Sequence, residues 1–213
     1  MKSIILIPII DLLLCIFLGT KSRWFQLHCA VNGIIVYYIK DDVYNLLLYP
    51  DKIRTLSNPE ELYYICILHL YHFLFFKNSK MDYFHHFVFV LCGALPIYYF
   101  YNKNLIRLAT LSGCGIPGMI EYFSLVLVKH DLMFTLKQKR LMSYVYNYFR
   151  YPFSVFSCSI IYYNHILNKT PDVSGITVFY VIAISFLNSA FFNQLILENS
   201  IESYYNIKLK KIN

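Results

Sequence analysis

The chain has 213 residues, of which 58% are hydrophobic, 19% aromatic and only 15% charged. A soluble globular domain carries about 25% charged residues, and with a mean hydropathy of +0.48 this composition argues against an ordinary soluble fold. The formal net charge of +7 is spread over connections and ends and builds no continuous basic face, so a nucleic-acid partner is not expected and the cations read as topology signals and headgroup contacts.

Apolar blocks of spanning length recur, separated by short polar segments, so the expected fold is all-α, a polytopic transmembrane helical bundle of about seven spans. In chain order these cover residues 4–20, 25–40, 61–77, 83–101, 104–128, 142–166 and 174–197. The first block has the outline of a signal peptide, but Asp11 interrupts it and a second apolar block follows at once. A retained first span at residues 1–20 is therefore expected. In the second block Lys40, Asp41 and Asp42 close the run early and the apolar tract resumes at Val43; six spans is the alternative count. The long connections are placed at 41–60 and 129–141, leaving no room for a soluble domain.

The third block, ELYYICILHLYHFLFF, carries His69 and His72 three residues apart and so on one helical face. The fourth opens with KMDYFHHF, where Asp82 stands three and four residues before His85 and His86. The adjacent histidines diverge by about 100° around a helix, so one of them faces a given neighbour. Asp82 either caps the helix or fixes one imidazole as a general base or nucleophile. The fifth block, LATLSGCGIPGMIEYFSLVLV, has three glycines and Pro117 in its middle. It is expected to lose a backbone hydrogen bond and to kink there, facing protein or a wet cavity. Glu121 follows by one turn, and an acid inside a span is a functional candidate. Arg150, in NYFRYPF, either snorkels to a headgroup or meets a buried acid.

Metal ligation is the weaker reading of these residues. Neither HxxHH nor HExxH occurs, and of the seven histidines His28, His130 and His165 lie in other segments, so no metal or other cofactor is expected. The six cysteines fall in or beside apolar blocks without CxxC spacing and read as reduced packing residues. Lys137, Lys139 and Arg140 read, with His130 and Asp131, as a solvated connection. With seven spans one side receives seven Lys and Arg and the other twelve, which puts the C-terminus in the cytoplasm. The sequon Asn168-Lys169-Thr170 then falls on the opposite side.

Four segments in this order, DYFHH, GIPGMIEYFSL, VYNYFRYPF and FLNSAFFNQLI, together resemble the TLC domain family of TRAM, the Lag1-type ceramide synthases and CLN8-related proteins. The resemblance covers residues 21–200, with residues 201–213 as a basic cytoplasmic tail. Asn188 and Phe192 take the family's positions in the last segment, and His28 in WFQLHCAVNG corresponds to a polar position of its early span. The Asp-rich continuation of the Lag1 signature is replaced by YNKNLIRLATL, which places the chain nearer the uncharacterised branch than the synthases. The resemblance implies a membrane cavity for a lipid or acyl chain, an acyl donor as a further partner, and residence in the endoplasmic reticulum or a related endomembrane; a homodimer is compatible with it. His85 and His86, with Asp82 and Glu121, are then the catalytic candidates, and His69, His72, Arg150 and Asn188 the substrate-binding ones. Acyl transfer or hydrolysis, transport with Glu121 as the protonatable group, and a noncatalytic lipid sensor or chaperone all remain open.

Overall fold

A computed structural model describes the backbone of residues 2–210 and the side chains of residues 4–206. Lys211, in the expected tail, lies outside the described residues. The described chain is an all-α bundle of seven helices: α1 (Lys2–Leu18), α2 (Arg23–Leu48), α3 (Glu60–Phe75), α4 (Lys80–Phe100), α5 (Ile106–Lys129), α6 (135–166) and α7 (Gly175–Lys210). Three of them, α4, α5 and the Gly175–Asn206 part of α7, are long and apolar enough to cross a membrane. Large apolar side chains such as Phe17, Phe87, Tyr148 and Phe179 stand exposed on the outside, as a lipid-facing surface requires and water disfavours.

Three helices run further than expected, and one of them, α7, passes residue 197 and continues through the expected tail segment to Lys210. Lys40, Asp41 and Asp42 do not end α2, which continues to Leu48. Asp42 is buried with Arg54 and Arg107 as partners, so its charge is answered inside the bundle and the helix has no reason to stop. The segment 135–141 likewise belongs to α6. There Lys139 Nζ donates to Ser203 Oγ at 2.6 Å, and Arg140 lies over the Tyr204 ring, both on α7.

The connections gather at opposite ends. Lys21 reaches Asp131 at 3.2 Å and Ser22 meets His130 Nε2 at 3.0 Å, joining the α1–α2 and α5–α6 turns at one end. At the other, Thr55 pairs with Lys103 in an isolated bridge and Asn164 Nδ2 donates to the Pro50 carbonyl. Lys103 also donates to Asp172 at 2.6 Å, a bond that holds the exposed Asp172 carboxyl below the usual carboxylate range.

Several cations expected to mark topology are instead internal partners. Buried Asp11 of α1 accepts from Arg23 of α2 and, at 2.7 Å, from the Tyr71 hydroxyl of α3. Arg107 of α5 bridges Asp42 of α2 and the fully buried Glu61 of α3. These pairs fasten four helices where unpaired charges would destabilise the bundle.

α4, α5 and α6 share a local irregularity. Each stays continuous, yet each contains a π-helical stretch, at His86–Ala94, Leu111–Gly115 and Tyr146–Arg150. Two residues after each stretch ends comes a proline: Pro96, Pro117 and Pro152. Proline lacks an N–H and its ring crowds the carbonyl four residues back, so the preceding turn widens. In α4 the carbonyl that Pro96 leaves free belongs to Cys92, and the Tyr180 hydroxyl of α7 donates to it.

Replacing Arg107 by methionine leaves Glu61 without a cation, an expected loss of about 3–5 kcal/mol, and adding Glu61→Leu recovers much of it. Thermal unfolding of the purified protein in lipid nanodiscs measures both.

Candidate functional site

The three π-helical stretches contribute to the wall of one cavity of about 230 Å³. Phe89, Val90 and Ala94 line it from α4, Gly113 and Cys114 from α5, and Tyr146 and Arg150 from α6. Further wall comes from His28 and Asn32 of α2, Leu62, Ile65 and His69 of α3, and Ile184, Asn188 and Phe192 of α7. Gly118 lets α5 approach α2 closely, because a Cβ there would meet Asn32 Nδ2 at 2.6 Å.

Six of the eight residues singled out in the sequence line this cavity: His69, Asp82, His85, Glu121, Arg150 and Asn188. His72 and His86 do not. They lie behind the wall with ring centroids 4.9 Å apart, and His72 stacks on Trp24 at 3.5 Å. The adjacent histidines thus separate as helical geometry requires, His85 toward the cavity and His86 toward His72.

Asp82 serves as a cap. Its carboxylate accepts from the Ser79 N–H at 2.7 Å while Ser79 Oγ accepts from the Asp82 N–H, a reciprocal capping box at the start of α4. Among the described residues no hydrogen bond joins Asp82 to an imidazole.

The group bonded to His85 is His69. Its Nδ1 lies 2.8 Å from the Ile65 carbonyl oxygen, which can only accept, so Nδ1 carries the hydrogen. In the uncharged ring Nε2 is then a lone pair, and it faces His85 Nε2 at 3.0 Å. His85 Nε2 must donate, which leaves the lone pair of His85 on Nδ1. That atom is buried and has no partner among the described residues. A carbonyl, an imidazole and a second imidazole form a chain ending in one unclaimed basic nitrogen, the arrangement a general base or nucleophile needs.

The wall also holds an acid and a cation. The Tyr146 hydroxyl donates to Glu121 Oε2. Arg150 Nη2 donates to Asn188 Oδ1 at 2.6 Å, and the guanidinium lies over the Tyr146 and Phe192 rings. Arg150 is 5% exposed; it does not snorkel, and its Nε has no partner.

His28, Asn32, Tyr122 and Tyr146 were not singled out as members of such a wall, although His28 was matched to a polar position. A tyrosine among 21 tyrosines gives no local signal; only the approach of α2, α5 and α6 selects these. Five histidines from three helices cluster here, with His28 and His69 rings 5.3 Å apart and His69 and His86 also 5.3 Å apart. Among the described residues no three His, Cys, Asp or Glu side chains are placed to hold a metal ion.

If His69 orients His85, His69→Phe removes the acceptor, and the two His85 ring nitrogens should move from distinct protonated and unprotonated ¹⁵N signals toward tautomer-averaged values. His69→Gln, which retains an acceptor oxygen, should keep them distinct. Solid-state ¹⁵N NMR of the histidine-labelled protein in bilayers reads this, and identical spectra for all three proteins would remove His69 from the role.

No protein-family model, curated protein or solved structure matches the chain.

Proposed function

We propose that the protein is a seven-span membrane protein that takes an acyl chain or amphipathic lipid into the cavity between α2 and α7, and that it transfers or hydrolyses an acyl group there. The observation that carries this reading is His85, whose hydrogen-bonded Nε2 and unclaimed Nδ1 belong to a ring on an otherwise largely apolar wall. In that position Nδ1 acts on an acceptor hydroxyl, amine or water as general base, or on the acyl carbonyl as nucleophile. Glu121 with Tyr146 forms the proton-handling side, and Arg150 with Asn188 holds the polar end of the lipid.

The seven-span reading draws on the exposed apolar surface and on connections that alternate between two ends of the bundle. Arg23, Arg54, Lys103 and Arg107 hold internal partners; setting them aside leaves four Lys and Arg on one side and eleven on the C-terminal side, so the C-terminus is assigned to the cytoplasm, and the family likeness assigns the protein to an endomembrane. A divergent TLC-type domain is the family this reading favours. Its support is that DYFHH and GIPGMIEYFSL, distant in sequence, contribute His85 and Glu121 to one cavity.

Protein purified in native lipids should carry a copurified acyl species detectable by mass spectrometry. His85→Ala should abolish its turnover, and His86→Ala, outside the cavity wall, should reduce it far less. Absence of any bound lipid, or equal turnover in wild type and His85→Ala, would sink the assignment.

A further inference from the structure

Among the described residues, the cations of the bundle interior are matched by acids with one exception. Arg23 has Asp11, Arg107 has Asp42 and Glu61, and Lys103 has Asp172. Arg150, as buried as any of them, has no carboxylate within ion-pair distance among the described residues. Its one side-chain partner is the neutral Asn188, its Nε donor is unclaimed and buried, and it lines the cavity. Glu121, the nearby acid, is hydrogen-bonded to Tyr146 instead.

An unpaired guanidinium beside an apolar wall calls for an anion that brings its own apolar tail. Leu62, Ile65, Val90, Ile97, Ile106 and Ile184 of the cavity wall offer such a tail an apolar lining. A single guanidinium balances a single negative charge, which favours a carboxylate over a doubly charged phosphate.

We propose that the cavity binds a long-chain carboxylate at Arg150 and that this binding takes up one proton, which neutralises Glu121. The inference rests on the reading that the cavity admits an acyl chain. With the ligand at Arg150 a second carboxylate enters the cavity that Glu121 also lines, where one guanidinium cannot keep two neighbouring like charges ionised. The other titratable groups facing this space are His28 on α2, His69 on α3, Asp82 and His85 on α4, Cys114 and Tyr122 on α5, and Tyr146 on α6. The α7 lining residues Ile184, Ser185, Asn188 and Phe192 contribute none. Proton uptake on binding makes affinity rise as pH falls, by up to about tenfold per pH unit.

The probes are hexadecyl sulfonate, which stays anionic across the pH range, palmitate, and uncharged hexadecanol, each titrated against the delipidated full chain in nonionic detergent. In wild type the sulfonate and palmitate should bind at least about tenfold more tightly than hexadecanol near neutral pH, and the sulfonate should tighten on acidification with the linkage slope. Glu121→Gln should bind the sulfonate tightly with a flat pH profile. Arg150→Gln should bind it no better than hexadecanol, with unchanged hexadecanol affinity certifying an intact cavity; if that variant fails to fold, Arg150→Lys should retain a preference for the anion. A sulfonate no tighter than hexadecanol, a flat wild-type profile, or a slope that persists in Glu121→Gln because a histidine takes the proton, would each overturn the proposal while leaving the acyl cavity standing. Binding of none of the three probes would overturn both.

Discussion

A charge carried into an apolar bundle must find its counter-charge inside the protein, because neither lipid nor hydrocarbon side chains can solvate it. That constraint organises this molecule. Asp11 with Arg23 and Tyr71 ties α1, α2 and α3; Arg107 with Asp42 and Glu61 ties α5 to α2 and α3. These junctions join α1, α2, α3 and α5, and of these α2, α3 and α5 line the cavity. Against this background of matched charge the guanidinium of Arg150 has no acid partner, and the Nδ1 of His85 no hydrogen-bond partner, among the described residues.

The cavity itself has a backbone origin. Three prolines, each two residues beyond a π-helical stretch, widen α4, α5 and α6, and all three stretches contribute to the cavity wall. A regular α-helix would draw its side chains closer to the axis of its neighbours and pack the space. Widened turns commonly mark functional sites for this reason: they redirect side chains without ending the helix. Tyr180, by donating to the Cys92 carbonyl, satisfies one of the groups that such widening exposes.

Much of the site could be read from the chain, though its wiring could not. His85, Glu121 and Arg150 were legible because polar residues inside apolar blocks are conspicuous, and Asn188 through the family resemblance; all four line one cavity. The partner of His85 was less legible. Asp82 is close in sequence, but at the first turn of a helix its carboxylate meets the Ser79 N–H more readily than a side chain one turn on. His69, 16 residues from His85, becomes its neighbour only because α3 and α4 fold back on each other. The end of α2 was misplaced for a related reason: Asp42 looks like a terminator until Arg54 and Arg107 are seen to neutralise it.

By itself the sequence determined the all-helical class, the apolar outer surface and the short list of polar residues that hydrocarbon would not tolerate without a purpose. Those follow from composition and from period, which are local properties of a chain. Only the tertiary structure decided which acids and cations cancel, which imidazole holds the hydrogen for which, and which charge is left over. Pairing is a relation between helices distant in sequence, and its energy exists only once they have packed.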